Sequence, residues 1–311
     1  MASSVRYVLL GATLALAACA SGGPLVPAAP LGAGPAAGAE RALSSDGTSD
    51  DLLYVSDFAS KALFVYSYPQ GRQVGHLTGI DAPAGLCSDA HGTVFVTQPN
   101  SGKVLVFRHG GRHARSALAG APAPIACSVD PVSGDLAVAN QGPKDGFARI
   151  SVYAGARGTP VAHVIHGMNQ SFAVAYDAAG DLFVDGISFH QRFRLAEMPE
   201  GAQHFTRLSV DRPIADPGNV QWDGTYLAIG DRADATVYRF KVAGGAASEV
   251  SSTKLGNALD TCQFWIRGKT LVGPNFSGGN VMYWSYPRGG QPTKTIGGLQ
   301  HPFGVTISTA G

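Results

Sequence analysis

A short motif returns six times along this chain and constrains the fold more than any other feature. An aromatic or apolar strand runs into a glycine-containing turn, and a second strand follows. The copies are Tyr66-Ser67-Tyr68-Pro69-Gln70-Gly71, Val106-Phe107-Arg108-His109-Gly110-Gly111, Val152-Tyr153-Ala154-Gly155, Leu195-Ala196-Glu197-Met198-Pro199-Glu200-Gly201, Phe240-Lys241-Val242-Ala243-Gly244-Gly245 and Tyr283-Trp284-Ser285-Tyr286-Pro287-Arg288-Gly289. They recur about every 40 to 46 residues, the period of propeller blades.

Between the copies, short strands alternate with turn residues at intervals of about ten, which implies an all-β fold. One period predicts strands over 83–89, 93–97, 103–107 and 115–118, the last shorter and more polar, as suits an edge. Second strands of the same kind are expected at 52–57, 94–98, 136–140, 182–185, 226–231 and 271–275, giving a six-bladed β-propeller of four-stranded blades. The folded part begins with a second strand at Leu52 and ends with a first strand over 301–307. The C-terminal strand is therefore expected to complete the first blade and remove the free ends of the ring.

Composition narrows the function classes. The chain has 311 residues, a net charge of +1 and only 14% charged residues, so it has no basic field to displace counterions from nucleic acid. Residues 1–18 read as a signal peptide: Arg6 is followed by an apolar run of about a dozen residues, too short for the ~20 that cross a bilayer. The run ends in Leu16-Ala17-Ala18-Cys19, which resembles a bacterial lipobox, with Cys19 taking the diacylglycerol. The alternative is an ordinary signal peptide cut at an Ala-x-Ala site. Acyl chains on Cys19 would anchor the protein firmly to the membrane. Residues 19–50 then form the lipidated cysteine and an Ala/Gly/Pro tether, and residues 51–311 the propeller. Ala20, where an Asp would retain the chain at the inner membrane, resembles an outer-membrane lipoprotein.

Cys87, Cys127 and Cys262 remain beyond the leader. Cys87 and Cys127 lie one repeat apart on neighbouring innermost strands. They can form a disulfide, or simply act as two small buried apolar side chains. Without a Cys-x-x-Cys pair, a structural zinc site is not expected.

The recurring Pro-x-Gly, Asp-x-x-Gly-x-Leu-x-Val and turn-Asn pattern over residues 51–309 resembles the NHL-repeat and related six-bladed propellers. Their wider superfamily holds regucalcin and gluconolactonase-type enzymes, streptogramin lyase-like proteins and many non-catalytic binding domains, so the likeness implies a fold before it implies an activity. In the regucalcin and gluconolactonase group, carboxylates and amides in the channel hold the metal that polarises a lactone. The matching set here would come from second-strand ends: Asp57, Asn140, Asp185, Asp231 and Asn275, with Gln98 alongside. Such oxygens suit Ca²⁺ or another divalent cation. The group's N-terminal metal-binding Glu is missing, and Leu52-Leu53-Tyr54 stands in its place. The competing reading is that Asp and Asn after a strand make Asx turns with their own backbone.

Other candidates carry less. His163 and His166 are expected on one strand, facing opposite sides; His109 and His113 flank a turn in solvent; His190 stands in the richer loop Gly186–Arg194. There is no Gly-x-Ser-x-Gly elbow and no phosphate loop between strand and helix, and catalytic residues are not identified. Trp222 and Trp265 either stack on a sugar or aromatic ligand or fill the wedge between blades. The sequence thus points to an exported, lipid-anchored propeller that binds or scaffolds at the bacterial envelope without catalysis. Its partner would be an envelope protein, a glycan or a small metabolite. The alternative is a metal-dependent hydrolase or lactonase with its metal in the central channel.

Overall fold

The computed structural model describes residues 50–142 and 146–310. The expectations for the leader, for Cys19 and for the tether lie outside these residues. The described chain forms 24 strands and one short 3-10 turn at Ala154–Ala156. The first blade contributes β1 (Leu52–Asp57), β2 (Ala62–Ser67) and β3 (Gln73–Leu77). The second is β4 (Leu86–Ser88), β5 (Val94–Gln98), β6 (Lys103–Phe107) and β7 (Ser116–Ala119). The third is β8 (Pro124–Val129), β9 (Leu136–Asn140), β10 (Arg149–Tyr153) and β11 (Val161–Val164). The fourth is β12 (Gln170–Tyr176), β13 (Leu182–Ile187), β14 (Phe193–Met198) and β15 (Thr206–Val210). The fifth is β16 (Pro217–Trp222), β17 (Leu227–Asp231), β18 (Thr236–Ala243) and β19 (Ala246–Lys254). The sixth is β20 (Trp265–Arg267), β21 (Thr270–Asn275), β22 (Asn280–Ser285) and β23 (Lys294–Ile296). The last strand, β24 (Pro302–Ser308), returns to the first blade.

The result is a six-bladed β-propeller of four-stranded antiparallel blades, closed as the sequence predicts. β24 pairs with β1 from Leu52↔Ser308 to Asp57↔Pro302, giving the blade order β24-β1-β2-β3. Burial follows position in the blade. The second strands β1, β5, β9 and β17 are buried at every residue, because a neighbouring blade covers each face. They therefore read as continuous apolar runs rather than alternating ones. The outer strands β7 and β15 bury one residue each and are otherwise largely exposed. Blades four and five are also joined at the rim, where β15 pairs in parallel with β19 through Ser209↔Ala246 and Val210↔Ala247.

The innermost strands meet tightly around the axis, and glycine makes that possible. A Cβ on Gly85 would sit 2.4 Å from the Ile125 carbonyl oxygen, and one on Gly304 would sit 2.5 Å from that of Ala84. These are the glycines of the Pro-x-Gly pattern, chosen for close backbone approach. Between these strands the polar seams differ. Ser88 Oγ donates to the Ile307 carbonyl (2.9 Å), the Tyr176 N–H donates to Ser128 Oγ (3.1 Å), and the Gln221 amide pairs with both backbone groups of Ile266. Blades two and three are joined covalently, with the sulfurs of Cys87 and Cys127 bonded at 2.05 Å. Gln263 spans three blades: its Oε1 accepts from the N–H groups of Leu86 (3.0 Å) and Val305 (3.1 Å), and its Nε2 donates to the Leu86 carbonyl (2.7 Å).

Removing residues 299–311 takes β24 from the hub and leaves β1 with an open edge, so the truncated chain is expected to lose its cooperative thermal transition. Circular dichroism melting checks this, and an unchanged melting temperature would contradict the closure.

Candidate functional site

The side chains expected to ring the channel are all buried, and Asp57, Gln98, Asn140, Asp231 and Asn275 end their second strands, but Asp185 does not, because β13 continues two residues further to Ile187. In four of them the polar groups are already engaged with backbone. Asp57 accepts from the N–H groups of Ser60, Gln300 and His301, and Asp231 from those of Ala215, Asp216 and Ala233. Asn275 Oδ1 accepts from Leu259 N–H (3.1 Å) and Asp260 N–H (3.3 Å). Gln98 donates to the Asp81 carbonyl (2.8 Å). These residues share one task, which is to clamp the connector that leads into the innermost strand of their own blade. The Asx-turn reading describes half of this. The connector, some 15 residues earlier or, for Asp57, at the far end of the chain, supplies the other half.

Asn140 and Asp185 differ. Asn140 Nδ2 donates to the Arg149 carbonyl (3.1 Å) and to Ser151 Oγ (2.9 Å), but its Oδ1 is buried without a partner. Asp185 Oδ1 accepts from Ala173 N–H (2.8 Å), and its Oδ2 is likewise buried and unpartnered. Among the described residues no group of three or more His, Cys, Asp or Glu side chains is placed to hold a metal ion. Asp57, Asp231 and Asn275 do not fit a cation, because their acceptors point at backbone N–H groups.

The two ends of the channel are unlike. Where the innermost strands begin, close to the Asp and Asn clamps, only about 20 Å³ remains among Ile125, Phe172, Phe303 and Arg232. Arg232 is nearly enclosed and bridges Asp216 (2.6 Å) and Asp260 (3.1 Å) on two connectors. Where the innermost strands end, on the opposite side, a cavity of about 420 Å³ opens. Tyr176, Trp222 and Trp265 wall it, with Ser88, Ser128 and Gln221 between them and the Cys87–Cys127 disulfide alongside. Among the described residues Asp177 is its only charged lining residue, and Asp177 Oδ1 already accepts from the N–H groups of Ala179 and Asp181. The Trp222 indole N–H is shut from solvent without an acceptor. Burial raises the Tyr176 phenol above its usual range, helped by Asp130, Asp135 and Glu200, so it stays protonated. Trp284, by contrast, is a wedge residue: it is fully buried and donates to the Gly256 carbonyl (3.0 Å).

The cavity gathers both tryptophans that the sequence singles out. The amides Asn219, Gln221 and Gln263 were not anticipated, although polar side chains on a strand facing the axis are a readable signal. His109 is not simply solvated: its ring nitrogens lie 2.8 Å from Ser308 Oγ and 3.1 Å from the Asp50 carbonyl, and burial lowers its pKa. His166 lies beyond β11 rather than on it, with its ring edge-on to Phe147 at 5.2 Å. His190 is exposed in the loop beside Phe189.

No protein-family model matches the chain, and no curated protein matches it in sequence. Solved structures share its fold. A chain in the crystal structure of a nidogen/laminin complex superposes with a TM-score of 0.67 at 13% identity, covering 84% of this chain and 99% of that one. Hydrazine synthase of Kuenenia stuttgartiensis gives 0.62 at 16% identity, covering 79% and 82%. Streptogramin B lyase gives 0.51 at 13% identity, covering 79% and 73%. At these identities the likeness is one of fold alone.

Asp185 generates a test. Burial raises its carboxyl to about 7, with the Ala173 N–H and Arg232 pulling the other way. The folded state thus holds a proton that the unfolded chain releases near the ordinary carboxylate value. Stability should fall as pH rises from about 4 to about 7 and level off above that. Asp185→Asn keeps an acceptor for Ala173 and cannot ionise. Its melting temperature should match wild type near pH 4 and exceed it at pH 8. Parallel melting curves across that range would refute the assignment.

Proposed function

We propose that this protein is a non-catalytic binding module, tethered to the bacterial envelope by a lipid on Cys19, that takes a neutral glycan into the Trp222–Trp265 cavity. The cavity carries this reading. Flat indole faces suit the apolar faces of sugar rings, serine hydroxyls and the Tyr176 phenol suit their hydroxyls, and the nearly uncharged wall disfavours an ionic ligand. A rigid ring supports it too, because a preformed pocket needs little ordering on binding. The envelope location rests on Leu16-Ala17-Ala18-Cys19 and the tether composition. A protein partner is the second reading. It is favoured by the exposed rings of Phe147 and Phe189, edge-on at 5.7 Å, and is in keeping with a propeller of this fold in a nidogen/laminin complex. No observation favours the hydrolase.

Two measurements test the proposal. Neutral mono- and oligosaccharides should quench tryptophan fluorescence saturably, and Trp265→Ala should weaken binding by about tenfold or more, the loss of one stacking contact. Absence of saturable quenching across a neutral glycan panel would count against the ligand class. Cys19→Ala should move the protein from the detergent phase to the aqueous phase on fractionation; a wild-type chain already in the aqueous phase would remove the anchor.

A further inference from the structure

The rim join between blades four and five opens a second concavity. β15 pairs with β14 only over Leu195↔Leu208, Ala196↔Arg207 and Glu197↔Thr206. Its next residues, Ser209 and Val210, turn away to pair with β19 of the next blade. Where the two strands part, a notch of about 380 Å³ forms between Phe193-Arg194 and the connector Val210–Ala215. Four arginines line it, Arg192, Arg194, Arg207 and Arg212, and among the described residues no Asp or Glu does.

Only one of the four is neutralised. Arg212 faces Asp234 and Glu249, each at 3.9 Å, and lies over the Tyr238 ring at 4.3 Å. Arg192, Arg194 and Arg207 have no carboxylate partner among the described residues, and the one side-chain bond among them runs from Arg194 Nη1 to the Phe193 carbonyl (2.8 Å). Register puts Arg194 and Arg207 on the same face of the blade, since Arg207 stands opposite Ala196, two residues from Arg194. Glu197, at the odd position, lies on the other face. Burial and the neighbouring Arg207 and Arg192 all hold the Arg194 guanidinium below its usual range. In a chain with a net charge of only +1, three like charges gathered in one concavity are a local excess that an anion would relieve.

We propose that this notch is a phosphate-binding site, in which Arg192, Arg194 and Arg207 grip a phosphate ester. Guanidinium forks match the paired oxygens of a phosphate, and the volume leaves room for the group esterified to it. The ester is either a soluble metabolite or a phospholipid head group; both present at least two anionic non-bridging oxygens to a guanidinium fork. The site is separate from the glycan cavity and does not depend on it.

The test uses the full chain carrying Cys19→Ala, so that no lipid anchor contributes. Inorganic phosphate and pyrophosphate are titrated by calorimetry against a chloride background, and sedimentation is followed with phosphatidylglycerol-containing vesicles and with phosphatidylcholine vesicles alone. Saturable binding of the soluble anions assigns a metabolite, whereas binding to the anionic vesicles alone assigns a head group. Arg192 and Arg207 are exposed, so Arg192→Gln and Arg207→Gln should keep the wild-type melting temperature. Each should weaken binding roughly 10- to 100-fold, the loss of a charge-assisted hydrogen bond. Arg108→Gln, with the same loss of charge at an exposed site in another blade, should bind as wild type. No binding to any probe, wild-type affinity in both notch variants, or an equal loss in Arg108→Gln would each overturn the proposal.

Discussion

Six innermost strands facing one axis are six sheet edges, and an unpaired edge is where a β-protein is most exposed to error. The rest of this structure depends on how those edges are dealt with. Gly85 and Gly304 allow neighbouring backbones to approach closely enough for each edge to be covered by the next. Serine and glutamine then engage polar groups that remain at their seams, and one disulfide ties a further seam covalently. Gln263 has the largest share, because a single amide serves backbone groups from two other blades. A buried amide with every partner in place holds its neighbours to one geometry, whereas a half-satisfied one would be costly.

This bracing uses the two ends of the channel differently. At one end, connectors are pulled inward by Asp57, Asp231 and Asn275 and locked across Arg232, and apolar side chains fill the space. At the other, the strands end in larger aromatic residues that stand apart around an open volume. A ring of carboxylates and amides looks like a binding site in sequence, yet Asp57, Gln98, Asp231 and Asn275 are here part of the frame. Oxygens that hold a loop are not available to a ligand, and the residues left over for recognition are those the frame does not use.

The architecture was legible because its signals repeat. Turn glycines, apolar second strands and the mismatch between a chain that starts on a second strand and ends on a first all bear on the same geometry, and β24 lies where that mismatch places it. The site was less legible for a physical reason. Asp57 and Asp185 both read as the acidic end of a second strand, yet β13 runs on to Ile187, so Asp185 stands inside its strand with one N–H partner while Asp57 ends β1 and meets three. Likewise, Trp222 and Trp284 are indistinguishable as letters. One stands at the end of an innermost strand and the other within a third strand, packed between blades, and that placement decides which meets a cavity. The arginine notch was out of reach for the same reason, since it exists only because β15 changes partner partway along.

The pairing of Leu52 with Ser308 also has a temporal meaning. β1 waits for β24 before its blade is whole, so a chain emerging from a ribosome cannot close its ring until β24 has followed. Contacts this distant in sequence form late. The closing strand therefore acts as a latch: a chain that stalls before β24 stays an open arc with an unfinished first blade, while one that includes it seals itself.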